Sequence, residues 1–402
     1  MNIFVISSIY PSRYVSKGTT PVVHYFAKEW VKMGHDVHVF HTESCFPAFY
    51  YLMGRVLKSV LASKHGYVVP TQIPKEYSED VDGVHVSHLV LKKRKPHARF
   101  PKSEIAHVVK AISSRIEKIG APDCIVGHWD NPGLELLYLL KVKYNIPTCL
   151  VFHDNKFSRL AEFYGEEFYT MTDSLDLVGF RNLSAKRSYE KLVEKPIHSF
   201  IAASGVSFPF LEAGKGFERA FDRINGFIYV GTLIERKYPS EVVAALSKSY
   251  GQDPFDITFI GDGDEKRHIE RTYEELSCKG NLVFTGRIAR EEVIRFLKQA
   301  DVFVMISKRE VFGLVYLEAM ALGCITIASR NEGIDGIIVD GVNGFLCEAG
   351  NVDELATVIS RIKTMRPEAL SEISVRARQT AMRYSDINVA DNYLNELKSI
   401  SK

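Results

Sequence analysis

Apolar positions along this chain fall into two alternating patterns. Short, nearly continuous apolar runs recur at residues 2–8, 36–41, 123–127, 148–152, 200–203, 227–230, 255–260, 281–284, 301–306 and 324–328. Runs of that length, rich in β-branched residues, predict strands covered on both faces, as in a parallel sheet. Between them lie stretches with helical spacing, including 21–33, 133–143, 157–195, 313–322, 352–365, 367–384 and 386–400. Thr20 and Pro21 sit where a cap and a first helical residue belong, and Gly34 and Gly323 follow helix ends. Strand and helix in alternation predict an α/β fold of doubly wound type, with ligands at the carboxyl ends of strands. The expected organisation is two Rossmann-like domains facing a central cleft. They cover residues 1–204 and 226–383, with a linker at 205–225 and a final helix at 384–402 returning to the first domain.

Residues 301–329 carry the densest chemistry. They read as strand, polar loop, helix, strand. Glu310 lies in the loop and Glu318 in the helix, with seven residues between them. Between the two acids the helix begins at Phe312, Gly313, Leu314 and Val315. Its free N–H groups and dipole make an anion site, and Gly313 lets an anion reach the backbone. An ionised Glu318 can accept two hydrogen bonds from a ribose diol. A diphosphate on the helix start, a ribose at Glu318 and a second hydroxylated group at Glu310 together describe a nucleotide-sugar. Glutamates at this spacing are usually solvated surface charges; here the glycine and both strands fall in register with them.

This stretch resembles the Glu-x7-Glu motif of retaining glycosyltransferases with the two-domain GT-B fold, family 4 (group 1). The resemblance is carried by EVFGLVYLEAMALG and by GVNGFL at 341–346, and is densest over residues 227–349. It implies a sugar moved from a UDP- or GDP-sugar to a hydroxyl with retention of configuration. Neither a metal nor another cofactor is expected. It places Lys237, with Arg236 in support, at the departing diphosphate, where fixed cations stabilise negative charge. It places Gly261 and Gly263 beside the nucleotide, Arg287 near the base, and His153 at the donor sugar. The catalytic set expected is thus His153, Glu310 and Lys237. The family's glycine-rich first loop is reduced here to Gly18, a weaker donor contact, and Thr232 stands where the family commonly has Arg. His128 and Asp130 also follow a strand end and are the candidates for acceptor binding.

Composition narrows the partners. The chain has 402 residues, with 51 basic against 49 acidic. That balance disfavours a nucleic-acid binder. Six scattered cysteines without a CxxC pair read as buried thiols of a reducing compartment. The amino terminus reads as a strand and not a signal peptide, and no apolar run is long enough to span a bilayer. These features point to a cytoplasmic protein. An apolar stripe over 46–61 suits either a helix packed on the core or one lying on a membrane. Lys92, Lys93, Arg94, Lys95, Arg99 and Lys102 form a basic run that suits either a solvated loop or anionic lipid headgroups. Peripheral attachment at the inner face of the plasma membrane, with a lipid-linked or surface-polysaccharide saccharide as acceptor, is the expectation these features join.

Three other functions remain compatible with parts of this pattern. A dinucleotide-dependent oxidoreductase needs Gly-x-Gly-x-x-Gly after the first strand, which residues 7–20 lack. A GT-B epimerase or phosphorylase, or a non-catalytic sugar-nucleotide-binding protein, would share the fold and the Glu318 contact.

Overall fold

The computed structural model describes residues 1–14, 21–53 and 72–401. The chain forms two compact units. Unit 1 comprises Met1–Arg181, Arg187–Ala202 and Ala390–Lys402; unit 2 comprises Asn182–Lys186 and Ala203–Val389.

Unit 1 is built on eight strands: β1 (Asn2–Ser7), β2 (Asp36–Cys45), β3 (Tyr77–Val81), β4 (Val84–Lys92), β5 (Cys124–His128), β6 (Thr148–Phe152), β7 (Leu177–Phe180) and β8 (Ser199–Ile201). Their order is β3-β4-β2-β1-β5-β6-β7-β8, parallel except for the β3–β4 hairpin. The order reverses between β1 and β5, so their carboxyl ends flank a topological switch point. Helices α1 (Val22–Lys32), α2 (Ala48–Leu52), α3 (Lys102–Ile119), α4 (Asp130–Tyr144), α5 (Phe157–Tyr164) and α6 (Glu167–Asp173) connect them. Helix α7 (Leu183–Val193) is shared between the units.

Unit 2 has six parallel strands in the order β11-β10-β9-β12-β13-β14. They are β9 (Gly226–Val230), β10 (Asp256–Ile260), β11 (Leu282–Gly286), β12 (Val302–Met305), β13 (Ile325–Ser329) and β14 (Phe345–Cys347). Its helices are α8 (Phe208–Gly214), α9 (Pro239–Tyr250), α10 (Lys266–Glu275), α11 (Arg290–Gln299), α12 (Leu314–Ala321), α13 (Val352–Thr364) and α14 (Pro367–Arg383). Strands β12 and β13 are buried at every position, as their unbroken apolar runs require. Here the switch point lies between β9 and β12. Helix α15 (Asp386–Ile400) begins in unit 2 and ends in unit 1, where Tyr393 packs edge-on against Phe26 and Trp30. The Trp30 indole N–H donates to the Ala390 carbonyl at 2.9 Å.

Several expectations need correction. Residues 205–225 are not a bare linker: they contain α8 and belong to unit 2. Arg219 fastens this segment by donating to the carbonyls of Leu297 at 2.8 Å and Leu322 at 3.1 Å. The stretch 157–195 is not continuously helical, because the short strand LVGF of β7 interrupts it. Lys93 does not belong to a solvated run. It is buried, with its ammonium 4.4 Å from the centre of the Phe100 ring. Arg99 is committed to Glu135 at 3.3 Å and Glu167 at 2.8 Å. Lys92, Arg94, Lys95 and Lys102 are exposed. Of the apolar stripe over 46–61, residues 54–61 lie outside the described residues. Within the described part Phe46 is buried, whereas Phe49 and Leu52 are exposed. Among the described residues no helix is long and apolar enough to cross a membrane.

Candidate functional site

The site in unit 2 is assembled from loops at the carboxyl ends of β9 and β12, the neighbours that flank the switch point. After β12 the chain runs through Lys308 and Arg309 to Glu310, then turns into α12. Gly313 caps that helix at φ +75°, in the left-handed region. A side chain there would collide with the Tyr316 ring and stand 3.2 Å from Cγ of Glu310. The position therefore needs glycine for its conformation and for space. The opening N–H groups of α12, among them those of Leu314 and Val315, have no acceptor within the helix. Both residues are half-buried; Phe312 is buried and can offer only its backbone.

Two ion pairs flank this helix mouth. Lys237, at the end of a 3₁₀ turn after β9 (Glu235–Lys237), brings Nζ to 3.1 Å from Oε2 of Glu310. Both side chains are 13% exposed. Arg290, the first residue of α11, donates from Nε to Oε1 of Glu318 at 2.6 Å and pairs with the same oxygen through Nη2. Glu318 is 6% exposed. Burial pushes its carboxyl above the usual range, and the Arg290 guanidinium opposes that rise. Glu318 is thus a buried, oriented acceptor, not a surface charge. A carboxylate holding one arginine on one oxygen retains acceptor capacity for a hydroxyl pair.

The loop carrying Glu310 is held from two sides. The Glu310 amide donates to Oε2 of Glu332 at 3.0 Å, and the same carboxylate also takes a backbone hydrogen bond from Arg309. Burial raises the Glu332 carboxyl, and those backbone donors act against it. Arg236 grips from the other side, its Nη1 3.3 Å from the carbonyls of Lys308 and Arg309. Arg236 therefore serves first as a clasp on the loop. Neither Glu332 nor Arg290 was singled out from sequence.

Gly261 and Gly263 follow β10, and each lies so close to the backbone after β9 that a Cβ would strike the carbonyl of Gly231 or Leu233. Their role is to seat the loop that leads to Lys237. Arg287 is exposed beyond β11, and among the described residues no hydrogen bond or ion pair ties it to the Glu310–Glu318 cluster. Gly18 lies outside the described residues.

Unit 1 brings His128 and His153 together: Nδ1 of His128 is 3.0 Å from Nε2 of His153. The Trp129 ring stacks on His153 at 3.9 Å and 15°. Burial holds both imidazoles neutral, with His128 pushed down to about 3 and His153 also well below the usual range. Tyr393 Oη is 3.5 Å from Nε2 of His128. Assigned from this network, the phenol donates to His128, which donates through Nδ1 to His153. The proton of neutral His153 then sits on Nδ1, as a donor. His128 is 1% exposed, so the expectation that it touches an acceptor is corrected: it is buried and hydrogen-bonded to His153. Asp130 is half-buried at the start of α4. Its carboxyl is raised to about 6 by burial, with Asp154 adding and Lys93 opposing. Lys93 is correspondingly lowered to about 8 by burial, with Asp130 acting against the fall.

Comparison with known proteins agrees with this geometry. Residues 217–380 match the family model described as glycosyl transferases, group 1. The chain is 30% identical over 154 residues to N-acetyl-alpha-D-glucosaminyl L-malate synthase of Bacillus anthracis, covering 38% of this chain and 39% of that protein. It is 36% identical over 131 residues to sulfoquinovosyl transferase SQD2 of Arabidopsis thaliana, covering 32% and 25%. The matched stretch thus spans well under two thirds of either relative. Similar solved structures extend over the whole chain. Sucrose-phosphate synthase from Thermosynechococcus elongatus superposes with a TM-score of 0.69 at 18% identity, over 99% of each chain. Anabaena HepE in complex with UDP gives 0.67 at 16%, over 99% and 100%. At those identities the likeness establishes the fold, two Rossmann-like units of GT-B type.

The clasp on the Glu310 loop generates a testable expectation. Glu332→Ala removes the acceptor of the half-buried Glu310 amide and of the exposed Arg309 amide, and the loss of the first hydrogen bond costs about 0.5–1.5 kcal/mol. Urea unfolding followed in unit 2 should show a lower midpoint with an unchanged slope. An unaltered midpoint would remove Glu332 from this role.

Proposed function

We propose that this chain, whose residues 217–380 match the family model of the group 1 glycosyl transferases, moves a sugar from a nucleoside-diphosphate-sugar to a hydroxyl acceptor. The observation that carries the reading is the arrangement at the start of α12. A helix mouth suited to an anion lies between one acid paired with Lys237 and another held by Arg290. In this reading the diphosphate of a UDP- or GDP-sugar docks on the N–H groups of Leu314 and Val315 and draws Lys237 from Glu310. Released from that pair, Glu310 accepts from hydroxyls of the donor sugar. Glu318 accepts from the ribose through the oxygen Arg290 leaves free. In unit 1, His153 presents its Nδ1–H as a donor for a sugar hydroxyl, and Asp130 is the candidate group for the acceptor.

The bond from the anomeric carbon to the diphosphate oxygen breaks, and the electron pair leaves with the nucleotide. The acceptor oxygen bonds to that carbon on the same face. Its proton passes to the departing phosphate oxygen, and attack on the face the diphosphate leaves retains the configuration. Lys237 and the helix dipole carry the charge that develops, which a metal would otherwise carry. The acceptor in this reading is a lipid-linked or surface-polysaccharide saccharide, and the protein sits at an anionic membrane face. Exposed Phe49 and Leu52, and exposed Lys92, Arg94 and Lys95, support that location.

Incubation with labelled UDP- and GDP-sugars and a panel of saccharide acceptors tests the activity. Transfer without added Mg²⁺ or Mn²⁺, giving a product with the donor's anomeric configuration by NMR, is expected. Failure of every donor to turn over would leave a binding protein. Glu318→Ala should raise the donor KM by roughly 10- to 150-fold, since a hydrogen bond to a charged group contributes about 1.5–3 kcal/mol. Unchanged donor kinetics would contradict the ribose contact. Lys237→Ala should lower kcat by a factor of about 100 or more, on the scale of removing one stabilising donor from a developing anion. A variant with normal kcat would move the leaving-group cation elsewhere. Replacing Lys92, Arg94 and Lys95 together by Ser should release the protein from phosphatidylserine vesicles in a sedimentation assay. Equal sedimentation of variant and parent would end the basic-face argument.

A further inference from the structure

Unit 1 holds a second cluster of ligating groups, made of residues given no role in the donor chemistry above. Strands β2 and β4 are parallel, with His41 opposite His88. Glu43, two residues on, points to the same face as His41. The three are 2%, 3% and 1% exposed for His41, Glu43 and His88. One ligating atom from each lies within 4.8 Å of the others.

The hydrogen bonds around the cluster define what it lacks. Nδ1 of His41 and Nδ1 of His88 face each other at 2.9 Å. Nε2 of His88 is 3.1 Å from Oε1 of Glu79. An ionised carboxylate only accepts, so the His88 proton belongs on Nε2 and its Nδ1 presents a lone pair. Tyr77 stacks on His88 at 4.1 Å and 8°, fixing the plane of that ring. Glu43 accepts from the Ser12 hydroxyl at 3.0 Å through Oε1. Its Oε2 is buried and has no hydrogen-bond partner among the described residues. A buried carboxylate oxygen without a partner is costly. A ring nitrogen with a lone pair and a carboxylate oxygen without a partner therefore belong to one buried cluster.

We propose that His41, His88 and Glu43 bind a divalent transition-metal ion through the two Nδ1 atoms and Oε2. Imidazole nitrogen suits Zn²⁺, Co²⁺ or Ni²⁺, whereas Mg²⁺ and Ca²⁺ take oxygen ligands. At metal–nitrogen bonds of ~2.05 Å, nitrogens 2.9 Å apart subtend roughly 90°, an octahedral angle; tetrahedral geometry needs roughly 3.4 Å, an opening of a few tenths. Glu79 behind His88 is the carboxylate–histidine arrangement that orients metal ligands. Charge also closes: two positive charges on the ion meet Glu43 and Glu79, with Arg13 3.7 Å from Glu79. Without an ion, the two Nδ1 atoms face each other at 2.9 Å and Oε2 of Glu43 has no hydrogen-bond partner among the described residues. The site lies within unit 1.

The full-length protein, stripped with a chelator and dialysed, is titrated with Co²⁺ and read by its visible d–d absorption, with Zn²⁺ as competitor. One ion per chain is expected, with a Kd of about 10 μM or tighter, and Zn²⁺ should erase the Co²⁺ bands. Glu43→Gln and His88→Gln should each weaken binding at least ~10-fold, while His268→Ala, at an exposed histidine, should not. Circular dichroism confirms that the variants are folded; if His88→Gln is not, Glu43→Gln decides. Absence of saturable binding up to about 1 mM, or full affinity in the folded variants, would overturn the assignment.

Discussion

Charge held away from water is the constraint around which unit 2 is arranged. Glu318 is 6% exposed, and Lys237 and Glu310 are each 13% exposed. An ion so placed must meet an opposite charge or firm hydrogen bonds, and deleting one partner leaves the other uncompensated. The two acids belong to one segment, the loop and helix after β12. The two bases come from elsewhere: Lys237 follows β9, and Arg290 opens α11. Only the parallel order of the strands brings the three segments to one place. The same constraint explains the clasps. A loop that presents Glu310 to a buried cation cannot wander, and Glu332 and Arg236 fix its amides and carbonyls.

What could be read from sequence was what is local in it. The strands of unit 2 announce themselves by short apolar runs, and Gly313 between two glutamates marks a helix mouth. What could not be read was pairing at a distance. Arg290 lies 28 residues from Glu318, and Glu332 lies 22 residues from Glu310. Nothing in the composition around either announces the contact. Lys93 misled in the opposite direction, since a run of bases reads as solvated although one member turns inward under Phe100. Residues 205–225 misled because their glycines and charges read as a linker. The carbonyls that Arg219 satisfies belong to the ends of other helices. Strand β7 was hidden by its brevity, four residues inside an aromatic, helical-looking context.

Histidines show how the last partner in a chain decides its chemistry. In unit 1, Tyr10 Oη is 2.7 Å from Nδ1 of His24, whose Nε2 is 3.0 Å from Asp82. That imidazole has a partner on each side and is complete as it stands. The His128–His153 chain ends on the hydroxyl of Tyr393, a neutral group that can donate. Neutral tautomers satisfy it from end to end, and its outcome is one directed donor on His153. The His41–His88 chain ends instead on a carboxylate, and a second carboxylate beside it has an oxygen with no partner. An ionised Glu43 and the half-buried Glu79, beside two neutral imidazoles, leave a negative balance that needs a counter-charge; without one, burial raises the Glu43 carboxyl to about 7, against the Ser12 hydrogen bond. Arg13, 64% exposed at its side chain and 3.7 Å from Glu79, is too solvated to supply it. A small dication is the simplest group that both fits the gap between three ligand atoms and cancels that charge.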